Sequence, residues 1–265
     1  AYAQSRDDFD PKKPTLTMED VIGKEPTEGN LDGLASAMRD LRGFVGLKKI
    51  KAEVEKLIDI NKTNYNREMA GGKILMLKKN RLFWGNPGTG KTTIAGIYGR
   101  ILKSLRLLSN GEVVIKSASD FIGSAVGESS AKTSTILSLC AGKVLVIDEA
   151  YNLDDNMYGK QALDTIVEKV SGQASEDICV IMAGYKKEME KMLRDQNPGL
   201  SSRFSPDDAF LFEDYNNEEL MSIFYNKCKA SDLLVPPRVV HAAIKRLETK
   251  RKLPRFGNAR EVDNL

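Results

Sequence analysis

The sequence has one histidine, His241, among its 265 residues, and three cysteines, Cys140, Cys179 and Cys228. Structural zinc sites need clustered Cys and His ligands, and the sequence offers no such cluster. Three widely spaced thiols in apolar or helical surroundings build no disulfide frame; they place the chain in an intracellular, reducing compartment, the cytoplasm. Strong charge of either sign is also missing, since 40 Lys+Arg against 37 Asp+Glu leave a net charge of +3. With no basic loop interleaved with aromatics, that balance argues against a nucleic-acid partner, and the basic stretch at 245–255 reads as a solvated helix face. No apolar stretch reaches the ~20 residues of a membrane span, and no signal-peptide pattern is present, so no membrane association is expected. The chain opens Ala1-Tyr2-Ala3 without a methionine, as a piece excised from a longer polypeptide would.

What is present is a globular composition, 41% hydrophobic and 29% charged, in a length that holds one large domain and a small one. Its most specific feature is Gly85-Asn86-Pro87-Gly88-Thr89-Gly90-Lys91-Thr92-Thr93, which fits the phosphate-loop spacing G-x-x-x-x-G-K-[ST]. Each residue type has a physical reason. Glycines let backbone N–H groups turn inward as a nest for phosphate oxygens. Lys91 brings a compact positive charge to the β- and γ-phosphates, the Thr92 hydroxyl is a Mg²⁺ ligand, and Thr93 leads into a helix whose positive end favours an anion. The context agrees. Ile74-Leu75-Met76-Leu77 and Arg81-Leu82-Phe83-Trp84 supply the apolar residues of a buried strand, and apolar residues at Ile94, Ile97, Ile101, Leu105 and Leu108 predict a helix over 92–108.

A second run, Val144-Leu145-Val146-Ile147-Asp148-Glu149, reads as a buried parallel strand ending in two carboxylates. Ligands of open α/β sheets bind at the carboxyl ends of strands, so these carboxylates emerge beside the phosphates. Asp148 is placed to hold Mg²⁺ through its water shell, and Glu149 to polarise an attacking water.

Around these motifs, residues 1–42 read as a linker or extension with one short helix near Leu31 to Leu41, and Asp7 to Pro14 as an extended, proline-punctuated segment. Leu47 to Arg67 reads as a long amphipathic helix with Ile50, Val54, Leu57 and Ile58 on one side. Further strand-like runs occur at Glu112 to Ile115, Ile178 to Met182 and Phe210 to Phe212, alternating with helices, which implies a parallel sheet covered on both faces. From Asn217 only helices follow, at 217–230, 236–250 and from about Asn258.

With Ala150-Tyr151 following the carboxylates, the chain resembles the AAA+ ATPases, in particular the CbbX/CfxQ group, which includes red-type rubisco activases and relatives of stage V sporulation protein K. Phe44-Val45-Gly46-Leu47, Asp148-Glu149-Ala150-Tyr151, Tyr158-Gly159-Lys160-Gln161-Ala162, Met182-Ala183-Gly184-Tyr185, Asn197 to Phe204 and Gly257-Asn258-Ala259-Arg260 carry the likeness across residues 43–265. The resemblance implies a P-loop NTPase fold: an α/β nucleotide-binding domain at 43–212 and a small all-helical lid at 213–265, extending beyond this chain in the family. It implies ATP and Mg²⁺ as cofactors, ATP hydrolysis, a homo-oligomeric ring, usually a hexamer, and a protein partner that is remodelled. Val45 and Gly46 would pack on adenine, and Asn86, Pro87, Gly88, Thr89, Gly90, Lys91, Thr92 and Thr93 would hold the phosphates. Arg203 would reach the γ-phosphate of a neighbouring subunit, and Arg260, from the lid, would touch the nucleotide of its own.

The sequence departs from that pattern twice. In Asp120 to Glu128, the presumed substrate loop, Ala125 stands where an aromatic commonly grips polypeptide, which argues against threading and against rubisco as the substrate. At Ala183 and Gly184 no polar sensor 1 side chain is present; either Tyr185 or a neighbour orients water, or the role is missing. A nucleotide-gated assembly scaffold with little turnover is the alternative reading these departures motivate.

Overall fold

The computed structural model describes residues 16–27, 29, 31, 33–125, 127–171, 176–251 and 256–265, except the side chain of residue 19. The expected extended segment at 7–14, Val126 of the presumed substrate loop and residues 252–255 of the basic stretch lie outside the described residues. Three N-terminal helices, α1 (Met18–Ile22), α2 (Leu34–Gly43) and α3 (Lys48–Met69), precede the sheet. Strands and helices then alternate: β1 (Arg81–Gly85), α4 (Lys91–Ser104), β2 (Val113–Ser117), α5 (Glu128–Leu139), β3 (Val144–Asp148), α6 (Met157–Lys169) and β4 (Cys179–Gly184). Helices α7 (Lys186–Asp195) and α8 (Pro198–Arg203) lead to β5 (Phe210–Phe212), and α9 (Asn217–Ala230), α10 (Pro237–Arg251) and α11 (Ala259–Asp263) close the chain.

The five strands pair in the order β2-β3-β4-β1-β5, with every pairing parallel. Alternate side chains serve two cores, as period-2 strands buried on both faces require. Phe83, Val146 and Ile181 face α2, α3 and α4, whereas Leu82, Ile147 and Met182 face α6 and α7. A third core, which includes Leu220, Ile244, Leu247 and Val262, unites α9, α10 and α11. Helix α9 starts where Asn216 and Glu219 exchange side chain-to-backbone bonds as a capping box.

The structure revises three sequence expectations. Ile74, Leu75 and Met76 are 54%, 39% and 74% exposed and lie outside β1. The side chain of Asn64 on α3 pairs with both backbone groups of Leu75, at 2.6 and 2.9 Å, and takes the bonds a strand partner would. Helix α4 ends at Ser104, with Leu105 and Leu108 packing into the core from the turn beyond. Residues 34–41 are core rather than linker: Leu34, Ala37, Met38 and Leu41 are all buried in the cluster that holds α4. The short helix α1, capped by Thr17 and Asp20, was not foreseen.

Candidate functional site

The loop between β1 and α4 curls on two glycines in the left-handed region, Gly88 at φ 70° and Gly90 at φ 97°. Both are also approached closely. A Cβ on Gly88 would lie 2.0 Å from the Gly257 carbonyl oxygen, and one on Gly90 2.7 Å from the Phe44 ring. Among the described residues, no backbone N–H from Gly88 to Thr93 has a hydrogen-bond partner. Unpaired N–H groups in a glycine turn at a helix N-terminus form an anion nest. The Nζ of Lys91 crosses the loop and donates to the carbonyls of Gly85 (2.7 Å) and Asn86 (2.9 Å). Burial lowers the Lys91 pKa, with Arg260 acting in the same sense and Asp148 and Glu149 opposing. An ammonium held in this way gains from any phosphate that restores negative charge beside it.

Asp148 ends β3, exposed where the four preceding residues are buried. Glu149 follows at φ 49°, an uncommon backbone state for a side-chain-bearing residue. There its N–H donates to Asp148 Oδ1 (3.1 Å), and Asn152 Nδ2 donates to Glu149 Oε2 (3.4 Å). Because β4 lies between β3 and β1, these carboxylates stand two strand spacings, about 10 Å, from the phosphate loop. The end of β4 lies between them. Gly184 is buried there, and a Cβ on it would lie 2.7 Å from the Tyr151 ring and 2.9 Å from the Met189 sulfur.

These elements enclose a cavity of about 610 Å³, a size that suits a nucleotide. Of the residues singled out from sequence, Val45, Pro87, Gly88, Gly90, Lys91, Thr92, Thr93, Asp148, Glu149 and Arg260 all line it. Gly46, Asn86 and Thr89 do not. Gly46 backs onto Glu219, the Asn86 amide donates to both Asp214 oxygens (2.9 Å each), and Thr89 is fully buried with its hydroxyl on the Asn86 carbonyl. Arg203 lies away from its own chain's cavity, donating to the carbonyls of Val170 (2.7 Å) and Gly199 (3.0 Å). Tyr185 lines the cavity beside Tyr151, their rings 5.9 Å apart.

Sequence reasoning missed the lid wall, where Ile223, Asn226, Lys227 and Ala230 of α9 face the cavity. Their spacing, one helical stripe, was the available signal. It also missed Tyr215, and the contact made by Asn258 within the run at 257–260; both join lid to loop. For Mg²⁺ the donor set fits: the Thr92 hydroxyl and the Asp148 carboxylate are hard oxygens on one cavity. Among the described residues no group of three His, Cys, Asp or Glu forms a cage, so a Mg²⁺ bound here would take its remaining ligands from phosphate and water.

A phosphate loop after the first strand, an acidic strand end two positions away and a helical lid over both define a P-loop ATPase of the AAA+ class. The family of ATPases associated with various cellular activities (AAA) matches residues 81–205, and the AAA lid domain matches residues 216–265. The chain is 33% identical, over 96% of its length and 80% of the relative's, to a chloroplastic ribulose bisphosphate carboxylase/oxygenase activase of Cyanidioschyzon merolae. It is 34% identical, over 84% of its length and 70% of the relative's, to protein CfxQ of Xanthobacter flavus. Stage V sporulation protein K of Bacillus subtilis is 34% identical over 70% of this chain and 57% of that protein. The chain belongs to the AAA ATPase family, in its CbbX/CfxQ group, and is an ATP hydrolase. Among the described residues no helix is long and apolar enough to cross a membrane.

Proposed function

We propose that the chain hydrolyses Mg²⁺-bound ATP as a subunit of a homo-oligomeric ring, a hexamer, and uses the cycle to remodel a protein partner. The observation that carries this reading is the convergence of Lys91, Thr92, Asp148, Glu149 and Arg260 on one cavity. In the proposed division, the nucleotide-binding core is 43–212 together with α2, and the lid is 213–265. Phe44 and Val45 would hold the base end against the α9 wall. The loop N–H groups and Lys91 would hold the phosphates, and Thr92 and Asp148 would hold Mg²⁺ with water. When bound, Mg²⁺ supplies positive charge that offsets the charge developing on the phosphate oxygens. Glu149 orients the attacking water and accepts its proton, held in place by Asn152.

Arg203 fits a role in a neighbour's site because it has none in its own. A guanidinium stays charged and matches phosphate oxygens with a planar fork. The names of the relatives point to a protein as the thing acted on. The experiment is Glu149→Gln, which keeps the shape and removes the base. ATP hydrolysis should fall by about 100-fold or more while ATP binding is kept. Normal hydrolysis by that variant would remove Glu149 from the mechanism. A second reading, a nucleotide-gated assembly scaffold with little turnover, draws on exposed Ala125 and on Gly184, which presents no polar group to the cavity.

A further inference from the structure

The carbonyls of the phosphate loop are as fully engaged as its N–H groups are free. Lys91 takes those of Gly85 and Asn86. The next three in sequence are each taken by a donor from the lid or the segment leading into it. Asn258 Nδ2 donates to the Pro87 carbonyl (3.3 Å), the Ala259 N–H to that of Gly88 (3.1 Å), and the Tyr215 hydroxyl to that of Thr89 (3.0 Å). Neither side chain is a casual contact. Asn258 is fully buried at φ 49°, ψ −121°, donates also to Asp214 Oδ1 (2.8 Å), and accepts from the Tyr215 N–H (3.0 Å). Tyr215 is 2% exposed, and burial pushes its hydroxyl pKa up to about 12, so it remains a donor throughout the ordinary pH range.

A trans peptide unit is planar and points its C=O and N–H in opposite directions. Pulling the carbonyls of Pro87, Gly88 and Thr89 toward the lid therefore turns the N–H groups of Gly88, Thr89 and Gly90 the other way. We propose that Tyr215 and Asn258 are positioning residues that orient the anion-binding N–H groups of the phosphate loop by holding the loop's carbonyls. The lid would then take part in phosphate binding through the loop's carbonyls, in addition to any direct contact from Arg260. Coupling follows by linkage: an anion that favours this loop conformation also favours the docked lid, and the docked lid favours the anion. The inference rests on the proposal that this cavity binds ATP.

The test compares the full chain with its Tyr215→Phe and Asn258→Gly variants, measuring affinity for ATP, ADP and adenosine by competition. Phenylalanine keeps the buried ring and removes one hydroxyl; glycine accepts the left-handed backbone of residue 258 and removes the amide. Loss of one hydrogen bond in Tyr215→Phe should weaken ATP and ADP by about 3- to 10-fold and leave adenosine unchanged. Asn258→Gly should weaken the phosphate-bearing ligands further. Equal losses for all three ligands would reduce Tyr215 to a structural residue and overturn the inference, as would unchanged affinities in Tyr215→Phe. Should the parent chain itself fail to bind ATP, the proposed nucleotide site falls first, a result separate from either of these. Asn258→Gly can unfold the lid; Tyr215→Phe decides the matter alone in that case.

Discussion

Gly184 is filled from outside: the Tyr151 ring and the Met189 sulfur occupy the space a side chain would need. A polar side chain at this residue is therefore excluded by packing, and Tyr185 lines the cavity wall one residue on. Gly184→Asn should destabilise the fold by about 1–3 kcal/mol through overpacking and should not raise turnover. Urea denaturation and steady-state ATPase measure the two effects, and a stable, faster variant would show the site had room. At this scale the sequence was most informative where chemistry demands a side-chain type, as at Lys91, Thr92 and Asp148. It was less so at Asn86 and Thr89, motif positions that contribute backbone while their side chains turn to Asp214 and to the loop itself. Tyr215 carried no signal, and Asn258 stood out only as part of the run at 257–260, with nothing to tell what it binds. They bind backbone carbonyls 126 and 171 residues away, and carbonyls leave no trace in sequence.

Among the elements, the strands at 144 and 178 were legible as short apolar runs bounded by charge, and α9 by the change to helices only from Asn217. Helix α5 offered little, because two of its three buried residues, Ser129 and Thr133, are small and polar. Its start is set by Glu128, whose carboxylate accepts from the N–H and hydroxyl of Ser124 (2.7 and 3.0 Å) and the N–H of Ala125 (3.2 Å). The two bonds from Ser124, with Lys132 adding, hold the Glu128 pKa at about 2, against 4.5 for an unperturbed glutamate. A depressed folded-state pKa contributes stability that is complete above pH 4.5 and is lost as pH falls toward 2. The gap in melting temperature between the parent and Glu128→Gln should therefore be open at neutral pH and close across that window. A gap independent of pH would mean the carboxylate is not what fixes this loop. Phe121, beside it, is fully buried and unavailable to grip a polypeptide.

Across the whole molecule, the N-terminal segment joins the core through α2, and the lid joins the phosphate loop through hydrogen bonds at Pro87, Gly88 and Thr89. Alternation of strands and helices predicted a parallel sheet; its order, with β4 between β1 and β3, is a tertiary fact that pairing decides. That order sets the gap between loop and carboxylates. Arg203 donates to the carbonyls of Val170 and Gly199 away from the cavity, so the proposed catalytic role for it requires another subunit's nucleotide next to it. The most direct measurement of the account is specific ATPase activity as protein concentration rises, for the parent and for Arg203→Ala. A shared active site predicts specific activity that climbs with concentration and collapses in the variant, by about 10³-fold for a trans arginine. Turnover that stays flat with concentration and survives the loss of Arg203, or bound ATP with no turnover at any concentration, would contradict the ring ATPase and leave the nucleotide-gated scaffold.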